Sequence, residues 1–298
     1  MNLDWLIPDL SGWVLSMLEV IWGGAGNLDT AQFGRSIETY SADAYSTVQS
    51  IQRSVVVPVS AVVISIMATL ELARQSTRID GDRKLGIQVV AATMFKLVLL
   101  VLIAQNAGLI LGAINDIFQT IMDGFVAEHP QSTNTPVVPE KVRTAVEDAG
   151  FFEQLVMGMN LSLPLLIAQL AGIILRIVFW VRFMEIYLLS AFVTLPIAFL
   201  ANPETKSIGV GYLRRYAAAG LQGAVLVLIT ILYASVGPKL MAGIGSSGME
   251  AVSADGIASV GALVWFAANS LNLTLAPLGF IVLVAMSGRI SRALVGEG

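Results

Sequence analysis

The chain has 298 residues, 56% of them apolar and only 13% charged, with a mean hydropathy of +0.77. A soluble domain carries about 25% charged residues, and several runs here reach the roughly 20 apolar residues that span a bilayer, so the chain reads as a polytopic membrane protein. The net charge of −4 argues against a nucleic-acid binder working through bulk positive charge. The absence of cysteine removes disulfides, thiolate metal sites and thiol nucleophiles.

Residues 3–22 set Leu3, Leu6, Leu10, Trp13, Met17 and Ile21 at three-to-four spacing, which predicts an amphipathic helix entered or broken at Pro8. Trp5, Trp13 and Trp22 suit a headgroup layer, but the polar face is acidic, so anionic lipid does not hold it. The helix either lies in the interface or docks on the bundle, or it binds a partner. No basic segment precedes it, and no cleavable signal is predicted. After a glycine-rich link, residues 30–52 repeat the pattern with Phe33, Ile37, Tyr40, Ala44, Val48 and Ile51, too polar overall to span.

The first span is predicted at 55–73, with Pro58 near its end, and it stops at a basic loop containing Arg74, Arg78, Arg83 and Lys84. A second span runs over 86–111 and continues as a more polar helix to 124. Lys96 lies ten residues in, about 15 Å at helical rise, where it lines an aqueous path, pairs with a carboxylate or snorkels. Residues 123–154 form a polar outer loop whose last part, 137–156, is again amphipathic. The only histidine, His129, stands in that loop without a second ligand and reads as solvated.

Residues 155–201 are nearly continuous apolar sequence interrupted by Arg176, Arg182 and Glu185. Either two spans turn at 176–185, or one span over 161–181 is followed by a bent, half-buried or re-entrant segment carrying Pro196. With one crossing the total is five spans, and nine Lys/Arg share one side against five opposite. The positive-inside rule then favours the N-terminus outside and the C-terminus inside. Arg182 and Glu185, three apart, are neighbours on a helix face: an intrahelical pair at the membrane surface is the plainer reading, a gate the sharper one. Arg176 points about 120° away from Arg182 and needs another partner.

The span at 217–236 begins with small residues, and Gly220 with Ala224 makes a ridge for close helix approach. An outer loop over 237–258 leads to the last span, 259–288, whose first half carries Asn269, Ser270, Asn272 and Thr274. These side chains suit interhelical hydrogen bonds or a pore lining. The predicted fold is therefore all-α, a polytopic transmembrane helical bundle of about five spans, with six possible. Interfacial amphipathic helices occupy 1–53 and the membrane domain 54–298. No enzyme motif is present: no HExxH, GxxxxGK[ST] or GxSxG, and no Cys/His cluster. No enzyme activity, cofactor or metal is expected.

The stretch RFMEIYLLSAFVTLPIAFLANPE, followed by IGVGYLRRYAAAGLQGAVLVLITILY, resembles the TrbL-type polytopic inner-membrane subunit of type IV secretion and conjugation machines, in particular the versions of Gram-positive conjugative elements. The matching positions are Arg182, Glu185, Ile186, Tyr187, Pro196, Glu204, Gly209, Tyr212, Leu213, Arg214, Leu221, Gln222 and Gly223. Thr194-Leu195-Pro196 departs from the family's two-proline end. The resemblance covers about a sixth of the chain and implies an oligomeric component of a translocation channel in the bacterial cytoplasmic membrane, carrying DNA or protein and driven by separate ATPases. It makes Arg74, Arg78, Arg83, Lys84, Tyr212, Arg214 and Arg215 candidates for cytoplasmic partner contact. Lys96, Arg176, Arg182, Glu185, Tyr187, Pro196, Gly220, Gln222, Asn269 and Asn272 become candidates for channel or packing roles. The alternative is a small-solute transporter or channel built on Lys96 and the 269–274 segment.

Overall fold

A computed structural model describes residues 10–23, 36–78, 83–128, 138, 140–243 and 258–296, and these residues are helical with no strand among them. The helices are α1 (Ser11–Gly23), α2 (Ile37–Tyr40), α3 (Ala42–Ile51), α4 (Val57–Arg78), α5 (Arg83–Gln105), α6 (Ala107–Glu128), α7 (Glu140–Glu147), α8 (Phe151–Phe192), α9 (Thr194–Ala198), α10 (Lys206–Gly243) and α11 (Ala258–Val295). Among the described residues six helices are long and apolar enough to cross a membrane: 42–76, 86–105, 107–128, 151–192, 206–237 and 270–295.

The chain interruptions show which of these helices are separate. A π turn, Gln52–Val56, joins α3 to α4 without a break. Its cause is Pro58, which has no N–H for the Ser54 carbonyl and whose ring crowds it; the wider turn absorbs both faults, with the Val57 N–H reaching the Gln52 carbonyl. Helix therefore runs from 42 to 78, straight through the expected limit of the interfacial helices at 53. Only Asn106 separates α5 from α6, and i→i−4 bonds flank it on both sides: Asn106 to Leu102 and Ile110 to Asn106. Antiparallel helices need a link of about two to five residues, so the chain bends here without reversing. Val193 likewise divides α8 from α9 with helical angles. Residues 176–185, one of the two places considered for a membrane turn, lie inside the uninterrupted α8. The described residues thus form five long paths: 42–78, 83–128, 151–201, α10 and α11.

Contacts group the chain into two compact units. Unit 1 comprises residues 1–30, 124–179 and 226–287. There α1 packs on α7 and buries Met17 and Ile21 of the predicted stripe together with Val14, Leu18 and Trp22, while Trp13 of that stripe stays 45% exposed, because the docked face is turned toward the neighbouring positions. Gln154 holds the junction: its Oε1 accepts from the Leu10 N–H at 3.0 Å, and its Nε2 donates to the Val146 and Ala149 carbonyls at 3.2 and 3.0 Å. The docked alternative for α1 is therefore the observed one. Trp13 lies so close to Gly158 that a Cβ there would overlap the indole, and Arg143 reaches Glu19 at 3.8 Å. Tyr233 packs on Phe280 with ring centroids 4.6 Å apart.

Unit 2 comprises residues 31–123, 180–225 and 288–298. In it α4 and α5 pack together, and α9 with the 3₁₀ turn Phe199–Ala201 lies on both. Val193, Thr194, Ile197, Ala198, Ala201 and Asn202 are all buried. The segment follows α4, with Ser60 and Thr194 hydroxyls 2.8 Å apart at one end and Arg74 on Glu204 at 3.0 Å at the other. Ser60 to Arg74 is about 21 Å of helix, so this short stretch is an inserted element of the bundle.

Candidate functional site

The residues that carried the resemblance converge in unit 2, where α8 acts as a hub facing several partners. Arg182 is 3% exposed. An arginine at the centre of a span costs roughly 2.5–3.5 kcal/mol on insertion scales unless it is accommodated. Here its Nε donates to the Ala219 carbonyl at 3.0 Å and its Nη2 to the Gly220 carbonyl at 3.2 Å, both on α10. A carbonyl has a second lone pair beyond its helical bond, so α10 accepts the guanidinium without unwinding. Gly223 makes the approach possible, because a Cβ there would overlap the guanidinium. The Phe183 ring stands 5.1 Å from the Arg182 Cζ, within cation–π range. Nη1 is buried without a hydrogen-bond partner among the described residues.

Glu185 accepts from Arg215 on α10 at 3.1 Å, an ion pair whose side chains are 34% and 62% exposed. Arg182 and Glu185 therefore do not form the predicted intrahelical pair. Their spacing makes them neighbours, but α10 presents carbonyls to one and a cation to the other. Tyr187 donates to the Ile37 carbonyl at 2.6 Å and lies 3.4 Å from that of Ser41, pinning the elbow between α2 and α3. Ser41 is extended there (φ −152°, ψ 98°) and its hydroxyl caps α3. Tyr40 stacks on Phe183 at 3.8 Å.

Further along α10, Tyr212 donates to the Leu189 carbonyl. The fully buried Tyr216 accepts from Asn115 at 2.7 Å and faces Ser190 at 3.4 Å. Pro196 sits in α9, and a Cβ on Gly209 would lie 2.7 Å from its carbonyl oxygen. Gly220 takes the Phe118 ring against its backbone, so this end of the predicted small-residue ridge is filled from within the chain. Gln222 lies beside Gly288, where an added Cβ would be 3.4 Å from its Nε2.

The other candidates are scattered. Lys96 Nζ donates to the Ala201 carbonyl at 3.1 Å; it caps the carbonyl end of the 194–201 segment, where the helix dipole favours a cation. Arg176 belongs to unit 1, is exposed, and has no partner among the described residues. Asn272, also in unit 1, is half-buried. Arg214 is exposed and Arg74 pairs with Glu204. The side chains of Arg78, Arg83, Lys84 and Asn269, and the whole of His129, lie outside the described residues. Phe118, Phe183 and Asn115 complete the hub and were not singled out in the sequence: aromatic or amide residues in apolar helices look like ordinary packing, and their partners are far away in the chain. Among the described residues no group of three or more His, Cys, Asp or Glu side chains could hold a metal ion.

The hub's chemistry is that of assembly: buried cation to carbonyl, phenol to carbonyl, glycine against side chain. Comparison with curated proteins and with solved structures gives no match. The family model described as TrbL/VirB6 plasmid conjugal transfer like protein matches residues 28–194, more than half the chain, from before α2 through α8 into α9. That range contains Arg182, Glu185 and Tyr187, and the Ile37 and Ser41 carbonyls that Tyr187 meets, while the α10 partners of Arg182 and Glu185 lie beyond it. With its apolar helices and this match, the chain is a multi-pass membrane component of conjugative transfer and belongs to the TrbL/VirB6 plasmid conjugal transfer-like family.

Proposed function

We propose that the protein forms part of the translocation channel in the cytoplasmic membrane of a conjugative type IV secretion machine, as a homo-oligomer that passes DNA or protein. The carrying observation is the family match over residues 28–194, which includes two of the five helical paths and most of a third. Separate ATPases supply the energy; the chain has no nucleotide-binding motif, no catalytic residues and no cofactor in this reading. The N-terminus faces outward and the C-terminus inward. This reading counts the continuous 83–128 and 151–201 paths as one crossing each, five in all, and is supported by the positive-inside rule, since nine Lys/Arg would then lie inside against five outside.

The inner basic surface contacts the ATPases or the cargo. Arg214 is the cleanest probe of it, since Arg215 is engaged with Glu185. Arg214→Gln should reduce conjugative transfer with membrane insertion unchanged, and Glu185→Gln controls for loss of the ion pair. Undiminished transfer would remove the loop from the mechanism. Labelling of single cysteines at 205–213 from outside the cell would reject the orientation. The solute-transporter alternative keeps less support, because the Lys96 ammonium is bound to the Ala201 carbonyl; solute uptake by liposomes holding the purified chain alone would restore it.

A further inference from the structure

We propose that unit 2 encloses a water-filled vestibule, opening beside α3 and α6 and ending at Arg182, which admits small hydrophilic solutes. Two adjoining spaces form it. The wider, about 520 Å³, lies among Gln49, Gln52 and Arg53 on one side and Gln105, Asn106 and Gly108 on the other. The narrower, about 100 Å³, is bordered by Ser36, Asn115, Gln119 and Arg182. Glu38, Tyr45, Gly112 and Asp116 border both, so the two adjoin.

Three observations call for water there. The π turn at Gln52–Val56 and the helix break at Asn106 border the same wider space, and irregular backbone at membrane depth is tolerated where it is buried in protein or lines a water-filled cavity. The walls carry the carboxylates of Glu38 and Asp116 and four side-chain amides; Gln49 accepts from Arg53 and Asn106 donates to the Leu102 carbonyl, but hydrocarbon would leave the amides of Gln52 and Gln105 unsatisfied. Arg182, buried and with its Nη1 unpartnered, borders the narrower space, and the carboxylates of Glu38 and Asp116 border it too. At about 30 Å³ per molecule that space holds roughly three waters, enough to bridge the guanidinium to those acids. On the α6 wall, a Cβ at Gly108 or Gly112 would meet no atom within 4 Å.

This vestibule does not depend on the translocation reading. The cysteine-free chain makes it directly testable. Single cysteines at Gly108, Gly112 and Ala113 border the vestibule, whereas Ile117 and Leu102 are exposed apolar positions outside its walls. Charged methanethiosulfonate reagents would be applied to sealed vesicles of each orientation. Only a hydrated thiol ionises readily, so G108C, G112C and A113C should react on the order of 100-fold faster than I117C or L102C, and from one face of the membrane only. If all three vestibule cysteines react as slowly as those two, or from both faces equally, the vestibule is excluded. Should G112C fail to accumulate, G108C and A113C decide the matter alone.

Discussion

Arg176 and Arg182 interrupt the same apolar run on the same helix, six residues apart, and end in opposite circumstances. Arg176 is exposed and has no partner among the described residues, whereas Arg182 is buried and holds two carbonyls of α10. Charge and host helix are alike, so neither decides the outcome. The difference is what stands opposite: Gly223 leaves room for a guanidinium, and the carbonyls of Ala219 and Gly220 come within reach. A cation in a membrane helix becomes internal where the facing helix has given up its side chains.

This contrast can be broken most sharply at the glycine. Gly223→Ala places a methyl on the guanidinium, and overpacking of this kind should cost roughly 2–3 kcal/mol, seen as a lower thermal midpoint in detergent. Arg182→Ala in that background should recover part of the loss, with a coupling energy of about 1–3 kcal/mol, while Arg176→Ala recovers nothing. Equal behaviour of the two arginines would dissolve the distinction. A smaller effect is expected at the other contact of the hub. Tyr187→Phe loses one hydrogen bond to the Ile37 carbonyl, about 1 kcal/mol, and should speed amide exchange at Ser36–Ser41 while leaving α10 protected. Smallest of all, Arg176→Gln should stay within about 0.5 kcal/mol of the parent. A loss there as large as at Arg182 would mean that α8 meets something at Arg176 that a single chain does not supply.

The legibility of this protein follows range of interaction. Helical class and the apolar spans come from composition and run length, and the amphipathic character of α1 from its spacing. The pairing of Arg182 with Glu185 was a sound local expectation, since residues three apart do meet on a helix, but Arg215 and two carbonyls some 30 to 38 residues away outbid it. Lys96 is a harder case, because its acceptor at Ala201 lies 105 residues on and no pattern near either residue signals it. The bend at Asn106 falls where the sequence reading runs one continuous helix over 86–124. The residues of the family resemblance were recognisable as a set, but the three-dimensional clasp they make was not.

Sequence alone determined that this chain lives in a membrane, that it crosses several times as helices, and where charge interrupts the apolar runs, because burial in hydrocarbon constrains every residue of a span independently. Tertiary structure decided which interruptions are inward, through glycines on α10, and what the short 194–201 segment is, through its docking on α4 and α5. Those outcomes depend on the surface a second helix presents, and an apolar helix can bring its neighbour almost any face.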